Sequence, residues 1–309
     1  MAGKQRKIPP GDPSQNVSEA FATILEHNLR ALLAWEKAAK SWKDIEGVHQ
    51  VRVALRRLRS ALTVFRPAIP RHVTDRWAQQ MRQFASCLGP ARDLDVFISE
   101  GLAPLTEHLP LPGAKPLMVL AERHRAAAYH PVRTMLESRK YRRFKKDFGG
   151  WLRAQGWRST ELTEQERERL DSRAVTFARE ILNQRLRKVL KTGRHADQDS
   201  ADEMHQLRIE CKKLRYAVEF FVPLFEGMED FVAHMKKLQD LLGIMHDVAV
   251  TPALIDRLLE AEDDRHAYRY AGALIGWRAR EYYDLKNSFQ SRWVELAEAP
   301  VPWSASAAA

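Results

Sequence analysis

The stretch GVHQVRVALRRLRSALTVFR, from Gly47 to Arg66, decides the fold of this chain. Its apolar residues recur every three or four positions between Val51 and Phe65, which predicts an amphipathic helix. The opposite face carries a row of basic residues, which are His49, Arg52, Arg56 and Arg59. The stretch contains no acidic residue, and like charges one turn apart destabilise a helix by roughly 0.2–0.5 kcal/mol per pair. Either carboxylates on a neighbouring helix or a bound anion must therefore compensate this charge.

The pattern occurs a second time, about 155 residues further along the chain. VHQVRVALRRLRSALTVFRPAIP, beginning at Val48, aligns without a gap with MHQLRIECKKLRYAVEFFVPLFE, beginning at Met204. Each basic position stays basic in the copy, in the pairs His49 and His205, Arg52 and Arg208, Arg56 and Lys212, Arg57 and Lys213, and Arg59 and Arg215. Downstream, FASCLGPARDLDVFI corresponds to LQDLLGIMHDVAVTP, and Asp93 matches Asp247. A duplicated domain that keeps its basic face favours the anion-binding interpretation.

Apolar periodicity predicts four helices in each half of the chain. The predicted ranges are 18–41, 45–66, 72–100 and 115–152 in the first half, and 163–192, 201–225, 229–260 and 264–297 in the second. Ser200 with Glu203, and Thr163 with Glu166, have the capping-box spacing of helix starts. We therefore predict an all-α fold of two pseudo-symmetric antiparallel four-helix bundles, with a basic groove or channel between them.

The same pattern divides the chain into four parts. Residues 1–17 are predicted to form a flexible N-terminal segment, residues 18–158 the first bundle, residues 159–297 the second bundle, and residues 298–309 a flexible tail. The boundary between the bundles falls in GGWLRAQGWRST, whose glycines interrupt the helical pattern.

Composition limits the classes of function. The 309 residues carry a formal net charge of +10 with a pI near 9.7, which favours a polyanionic partner. Cys87 and Cys211 both lie in helical patterns, which indicates a reducing compartment without disulfides. The N-terminus lacks the apolar stretch of a secretory signal, and no run reaches the roughly 20 apolar residues that cross a bilayer. We therefore expect a cytoplasmic protein that does not insert into membranes.

The motifs HQVRVALRRLRSALTVF with LGPARDLDVF, and HQLRIECKKLRYAVEFF with LLGIMHDVAV, resemble the paired signatures of the CHAD family, the histidine α-helical domain. The resemblance extends from about Ser18 to the end of the second predicted bundle. It implies two bundles whose basic residues line a central cavity that binds inorganic polyphosphate, and an association with polyphosphate granules in bacterial cells. The family is often fused to a triphosphate-tunnel catalytic domain, for which these residues leave no room, so we expect the stand-alone form.

Polyphosphate carries a negative charge on each phosphate but has no bases or rings, so positioned cations must recognise it. Arginine donates two hydrogen bonds from a planar fork, and lysine provides a more flexible charge. The polyphosphate-binding residues predicted on this basis are His49, Arg52, Arg56, Arg57, Arg59, His205, Arg208, Lys212, Lys213 and Arg215. Arg57 and Lys213 lie off the basic face, where the helix can turn them toward a neighbouring helix.

The roles of the two histidines stay open, since either ring could donate to phosphate or satisfy a buried carbonyl. If the rings contact phosphate, their protonation near pH 6.5 should tighten binding in mildly acidic solution. Asp93 and Asp247 are expected to orient arginines or cap helices, because a carboxylate that faces a polyanion repels it. A dense basic run supplies candidates for additional peripheral contacts, which are Arg139, Lys140, Arg142, Arg143, Lys145 and Lys146.

Other classes of function compete with this interpretation. A basic chain also binds RNA or DNA weakly and without specificity at low salt, although the sequence has no helix-turn-helix, zinc-finger spacing or basic helix with exposed aromatics. His246 and Asp247 resemble the metal-binding dyad of HD phosphohydrolases, but their counterparts are Arg92 and Asp93 and no further ligands follow at helical spacing. Mixed-charge helices also allow an adaptor role, with protein partners that the sequence does not name. We expect a non-catalytic binding protein without a cofactor or metal.

Overall fold

A computed structural model describes residues 11–158, 161–260 and 262–304. Its α-helices are α1 (Val17–Ser41), α2 (Ile45–Val64), α3 (Arg71–Cys87), α4 (Gly89–Val96), α5 (Ala103–His108), α6 (Ala114–Glu137), α7 (Arg139–Arg153), α8 (Glu164–Asp171), α9 (Ala174–Arg194), α10 (Ala201–Phe221), α11 (Glu229–Leu259) and α12 (Arg265–Ala297). A π-helical turn spans Phe97–Leu102, and 3₁₀ turns span Val222–Leu224 and Pro302–Ser304. These ranges contain no strand beyond an isolated bridge between Asn16 and Arg173. The predicted all-α class is confirmed.

Several predicted helix starts agree with the structure. α2, α10, α11 and α12 begin at or within one residue of the predicted positions. Thr163 and Glu166 form the predicted reciprocal capping box at the start of α8. At the start of α10, the Ser200 side chain accepts from the backbone N–H of Glu203, whereas the Glu203 carboxylate accepts from the N–H of Asp197. Local side-chain oxygens thus satisfy N–H groups that have no partner within the first turn.

Three predicted helices are divided in the structure. The predicted helix 72–100 is interrupted after Cys87, because Pro90 has no N–H to donate and is tolerated only in the first turn of α4. The predicted helix 115–152 is interrupted at Ser138, whose hydroxyl caps the start of α7. The predicted helix 163–192 is interrupted after Asp171, where the chain forms the bridge to Asn16. The described chain therefore contains more and shorter helices than the sequence predicted.

The two halves of the chain meet along α2 and α10. α1 packs on α2, α9 packs on α10, and α2 contacts α10 directly. Phe65, at the end of α2, stacks on Phe177 of α9 with ring centroids 5.2 Å apart. The Phe65 ring also lies 5.8 Å from the ring of Phe221 at the end of α10. The helices that carry the repeated basic motif are therefore neighbours, and their apolar sides share one core.

The apolar core does not divide at the predicted boundary between residues 158 and 159. One buried cluster combines α1–α3 with α9, α10 and the first part of α11. A second cluster combines α4, the π-helical turn, α5 and the first part of α6 with the end of α11 and the start of α12. Each cluster therefore draws on residues from both halves of the chain.

The described end of the chain packs against the helices. Trp303, in the last 3₁₀ turn, is 1% exposed. Its ring lies edge-on to Phe231 at 4.8 Å, and its indole N–H donates to the Asn183 side chain at 3.0 Å. Residues 302–304 are therefore part of the packed structure and not of a flexible tail. Residues 1–10 and 305–309, also predicted to be flexible, lie outside the described residues.

α11 is apolar enough to resemble a membrane-spanning helix. Its most apolar 18-residue window has a mean hydropathy of 1.2, and 44% of that window is buried inside the protein. α11 packs against both α10 and α12, and charged residues such as Asp247 and Arg257 lie along it. These contacts are typical of a core helix, whose apolar face is covered by its neighbours.

Gly47 permits the close contact between α1 and α2. A Cβ atom at this position would lie 2.4 Å from the Ala39 backbone nitrogen and 2.5 Å from the Ala38 carbonyl carbon. Because backbone atoms cannot rotate away, we expect Gly47→Ala to lower the free energy of unfolding by about 1–3 kcal/mol, measured by urea denaturation. A Cβ at Gly272 of α12 meets nothing within 4 Å, so the control Gly272→Ala should stabilise by roughly 0.5–1 kcal/mol. Equal effects of the two substitutions would contradict this prediction.

Candidate functional site

A cavity of about 550 Å³ lies between α2, α4, α10, α11 and α12. The residues that line it are Arg52, Arg56, Asp93, Val96, Phe97, Arg208, Lys212, His246, Asp247, Val250, Thr251, Ala253, Leu254, Arg257 and Arg278. They come from both halves of the chain, and Phe97 also belongs to the second apolar cluster. The basic faces of α2 and α10 therefore contribute to one space, to which both copies of the motif have access.

Positive charge dominates this cavity. Six of its lining side chains are Arg or Lys, and two are carboxylates. The Nε–H groups of Arg56 and Arg208 are buried and have no hydrogen-bond partner within the described part of the chain. The nearest carboxylate oxygen to Arg208 belongs to Asp247, with 4.0 Å between Nη2 and Oδ1. Arginines with unused donors and few counter-charges are suited to bind an anion.

Arg52 is held at the cavity wall by the end of α3. Its Nη1 donates to the Ala85 carbonyl oxygen at 3.4 Å, and this oxygen lies in the last turn, where carbonyls lack helical partners. Gly89, at the start of α4, leaves room for the guanidinium, since a Cβ there would lie 3.2 Å from Nη1. Burial lowers the pKa of Arg52, and the charge of Asp93 opposes that shift. Gly89, which belongs to the repeated downstream motif, therefore leaves space for the Arg52 guanidinium at the cavity wall.

Tyr216 on α10 lies between two arginines from opposite halves of the chain. The guanidinium of Arg56 lies 5.4 Å from its ring centroid, and that of Arg215 lies 5.3 Å away. Tyr216 itself is 4% exposed. A cation over an aromatic face gains about 0.5–2 kcal/mol and keeps its N–H donors free. Tyr216 therefore positions Arg56 without neutralising it.

Lys212 lies among arginines. Burial lowers its pKa to about 7, and the charges of Arg208, Arg56 and Arg215 contribute to the shift. The charge of Asp247 opposes only part of this effect. Lys212 is therefore about half protonated at neutral pH in the free protein, and a bound polyanion would favour its charged form.

Each of the two predicted histidines, His49 and His205, lies near a residue that occupies the same position in its own repeat. His205 of α10 lies beside His246 of α11, with 3.2 Å between their Nδ1 atoms. His49 of α2 interacts with Arg92 of α4, which stands at the repeat position of His246. Burial lowers the pKa values of His49 and His246 to about 4, and neighbouring positive charges contribute. The rings of His49 and His246 are therefore neutral near pH 7 in the free protein.

Asp93 and Asp247 lie inside α4 and α11, so neither caps a helix. Burial raises the pKa of both carboxyl groups, and nearby arginines oppose the rise. The first opposing charge is Arg52 for Asp93 and Arg208 for Asp247. Each carboxylate thus lies near the corresponding arginine of its own half, which fits the predicted orienting role.

Arg57 and Arg215 belong to the predicted site but do not line the cavity. Arg57 forms an ion pair with Glu219 of α10, with 2.7 Å between Nη2 and Oε2. The Nε of Arg215 lies 3.5 Å from the other oxygen of the same carboxylate. Here a protein carboxylate compensates the basic motif, which is the alternative that the sequence left open. Among the residues that line the cavity, Arg278 is paired with Glu281 in the same way, whereas the nearest carboxylate oxygen to Arg208 lies 4.0 Å away.

Lys213 and Arg59 also lie away from the cavity. Lys213 donates to the buried carboxylate of Glu210 at 2.8 Å, one turn earlier on α10. Arg59 faces α3, where the positive charge of Arg82 adds to burial in lowering its pKa. Some basic residues of the repeated motif therefore line the cavity, and others lie on the surfaces beside it.

The basic residues of α7 do not reach the cavity. Lys145 forms an ion pair with Glu36 of α1 at 2.7 Å, and Lys140 donates to the Gln83 side chain of α3 at 2.7 Å. The remaining predicted residues of this helix are exposed, and they are Arg139, Arg142, Arg143 and Lys146. The predicted peripheral contacts therefore lie on a separate surface.

The sequence patterns did not predict three of the residues that lie in or beside the cavity. Arg257 lies three positions after Leu254 on the cavity side of α11, so helical periodicity was the available signal. Arg278 of α12 lies outside the repeated motif, and nothing in its surroundings in the sequence distinguishes it. Tyr216 looks like any core aromatic on α10, and its repeat counterpart is Ser60.

A family model described as the CHAD domain matches residues 23–256, which include both copies of the basic motif. The chain belongs to the CHAD family. The resemblance found in the sequence is therefore confirmed. No protein of curated function matches this CHAD chain.

Two solved structures resemble this CHAD protein. The crystal structure of the CHAD domain from the plant Ricinus communis has a TM-score of 0.79 and 26% sequence identity, and the match covers 96% of this chain and 97% of that chain. PptA from Streptomyces chartreusis has a TM-score of 0.68 and 14% identity, and the match covers 90% and 99% of the two chains. The first supports the CHAD fold over nearly the whole length, and the second supports the fold alone.

The described residues place no metal-ligand cluster around the HD-type dyad. Within the described residues, no three His, Cys, Asp or Glu side chains come together as a metal site. His246 faces His205, and Asp247 faces Arg208. A catalytic zinc site needs three protein ligands around an open position, and this arrangement provides fewer. The dyad residues instead complete the wall of the basic cavity.

Proposed function

We propose that this CHAD protein binds inorganic polyphosphate in the cavity beside α2 and α10. The observation that carries the proposal is the excess of cations there, with six basic side chains against two carboxylates. Beside the cavity, Arg57 and Lys213 of the same motif are each paired with a glutamate. A polyanion would supply both the negative charge and the hydrogen-bond acceptors that the cavity lacks.

The lining of the cavity favours a polyanion without bases. Proteins that bind single-stranded nucleic acid stack the bases on aromatic side chains. The aromatic residue that lines the cavity, Phe97, is 5% exposed and packs in the second apolar cluster. Tyr216 is buried beneath arginines. Polyphosphate needs no stacking partner, whereas the bases of a nucleic acid would find no aromatic side chain to stack on in this cavity.

We further propose that the protein binds polyphosphate without cleaving it and resides in the cytoplasm at polyphosphate granules. Phosphoryl transfer needs a positioned nucleophile or general base as well as cations. The candidate groups already face other protein groups, since Asp247 lies 4.0 Å from Arg208 and His246 lies 3.2 Å from His205. Weak binding of nucleic acid at low salt is expected from the net charge of +10.

Competition between polyphosphate and labelled single-stranded RNA of matched charge tests the proposal at ~150 mM salt. Polyphosphate is expected to displace the RNA far more effectively than the RNA displaces polyphosphate. The logarithm of the polyphosphate affinity should fall linearly with log[salt], with a slope near 0.7 for each phosphate neutralised. Equal affinities for the two ligands would favour a nonspecific nucleic-acid binder. Release of phosphate from the chain would overturn the non-catalytic part of the proposal.

A further inference from the structure

A second group of arginines lies beyond the C-terminal end of α2. It consists of Arg66 in the turn after α2, Arg71 and Arg82 of α3, and Arg185 of α9, and we name it the Arg66 cluster. Burial lowers the pKa of Arg66, and the charges of the other three arginines lower it further. Asp75 is the carboxylate whose charge opposes this shift. Four like charges thus share one surface with little counter-charge.

The cluster also has unused hydrogen-bond donors. The Nε–H groups of Arg66 and Arg185 are buried and have no partner among the described residues. None of the four arginines forms an ion pair with a described carboxylate at 4.0 Å or less. Arginines elsewhere on the surface do form such pairs, as Arg143 does with Asp147. A local excess of cations with free donors is the same property that marks the cavity.

Arg59 connects the cluster to the cavity. Arg52, Arg56, Arg59 and Arg66 follow one another along one face of α2 and the turn after it, at spacings of four, three and seven residues. At 1.5 Å per residue, the distance along the helix from Arg52 to Arg59 is about 10 Å. Arg59 in turn faces Arg82 of the cluster. Basic side chains therefore continue from the cavity to the cluster without an intervening carboxylate on this face.

On its other side the cluster adjoins a groove between α9 and α10. The groove has a volume of about 390 Å³, and Arg185 belongs to both the groove and the cluster. The other basic residues that line it are Arg187, Lys188, Lys191 and Lys213. Its one lining carboxylate, Glu210, is already paired with Lys213. The groove therefore extends the basic surface along α9.

The other repeat lacks this extension. Val222 stands at the repeat position of Arg66, and Glu219 stands at that of Thr63. Glu219 compensates the charges of Arg57 and Arg215 on that side. The row of arginines on α2 thus continues to Arg66, whereas the row on α10 ends at Arg215, and the duplication alone does not account for this difference.

We propose that the Arg66 cluster and the adjoining groove bind the part of a long polyphosphate chain that extends beyond the cavity. This inference rests on the proposed function, because the ligand is the same. A short ligand would contact the cavity alone, whereas a long chain would contact the cavity and the cluster together. Contacts joined through one ligand reinforce each other, so the affinity should depend on chain length.

A matched pair of double variants of the full chain tests this inference. Arg66→Gln/Arg185→Gln removes two charges from the cluster, and Arg30→Gln/Arg269→Gln removes two exposed charges from α1 and α12. We expect the cluster variant to bind long-chain polyphosphate about tenfold more weakly, with a salt slope lower by about 1.4, as for two lost phosphate contacts. Its affinity for tripolyphosphate should equal that of the wild type. The control variant should bind both ligands like the wild type.

The outcomes separate this inference from the proposed function. Unchanged long-chain affinity in the cluster variant, or an equal loss in the control variant, would overturn the inference and leave the proposed function intact. An equal loss of tripolyphosphate affinity in the cluster variant would also overturn it, since the cluster would then act through the cavity. Failure of the wild type to bind either ligand would reject the proposed function and the inference together. A melting scan checks the fold, and the midpoint should not fall, because the removed charges repel each other.

Discussion

Replacing Arg56 and Arg208 together by glutamine is expected to weaken polyphosphate binding by about 10²–10⁴-fold. Each guanidinium lines the cavity and carries an Nε–H that has no partner among the residues that the structure describes. A hydrogen bond to a charged group contributes about 1.5–3 kcal/mol, so two losses amount to about 3–6 kcal/mol. Because 1.4 kcal/mol corresponds to a tenfold change in affinity, titration calorimetry at ~150 mM salt resolves the effect.

The same double variant should leave the stability of the free protein close to that of the wild type, because relief of repulsion offsets the lost contact between Arg56 and Tyr216. Burial lowers the pKa of Arg208, and the charge of Arg56 across the cavity lowers it further, while Asp247 opposes the shift. Arg208 is therefore held where its charged form is disfavoured, and neutral glutamines relieve the repulsion between the two guanidinium groups. A melting temperature well below that of the wild type would show that these charges hold the two halves together, which would contradict a role in ligand binding.

Arg57→Gln is the matched control for this prediction, since it removes a neighbouring cation of the same motif. Arg57 is paired with Glu219 across α2 and α10, and both side chains are mostly buried. Its loss should lower the free energy of unfolding by an amount between the ~1 kcal/mol of an exposed pair and the 3–5 kcal/mol of a fully buried one. Polyphosphate affinity should stay near that of the wild type. A loss of affinity as large as in the cavity variant would mean that the overall charge, and not the cavity, binds the ligand.

Polyphosphate affinity is also expected to fall by about 30-fold between pH 6 and pH 8.5 because of Lys212. Burial lowers the pKa of Lys212 to about 7 in the free protein, with a contribution from the surrounding arginines. A bound polyanion favours the protonated form and so raises this pKa. The contribution of Lys212 is therefore complete below pH 7 and is lost as the pH rises from 7 toward the pKa in the complex. The factor of about 30 applies if that pKa lies well above 8.5, since affinity then falls about tenfold per pH unit between pH 7 and pH 8.5.

Lys212→Arg separates this effect from the histidines. Arginine keeps its charge over the whole range, so the variant should show nearly constant affinity from pH 6 to pH 8.5. His49 and His246 have pKa values of about 4 in the free protein, where burial disfavours their charged forms. A pH dependence as steep in Lys212→Arg as in the wild type would assign the effect to histidines that gain protons in the complex. Binding titrations with long-chain polyphosphate at constant ionic strength give the comparison.

Sequence patterns predicted the helices best where periodicity and caps agree. α10 begins at its predicted residue, with Ser200 as its cap, because a cap and a helix depend on residues within a few positions of each other. The divided helices show the limit of this reasoning. Apolar periodicity continued through Ser138, but the hydroxyl there starts a new helix, and only the packing of α6 and α7 decides between the two possibilities.

The residues of the cavity were predicted in part for the same reason. Arg52 and Arg56 share a helix face, as do Arg208 and Lys212, and the structure brings all four to one cavity. Local sequence patterns could not predict the ion pair of Arg57, because its partner Glu219 lies 162 positions away in the chain. Arg278 likewise joins the cavity from a helix without the motif.

By itself, the amino-acid sequence determined the helical class, the duplication and the basic face of each copy, because helical periodicity and capping act over a few residues. Only the tertiary structure decided which of these cations keep their charge unpaired. That property depends on which carboxylates meet them across the fold and on how far each side chain is removed from water. Electrostatic interactions vary strongly with both distance and burial, so equivalent positions such as Arg56 and Lys212 acquire different properties.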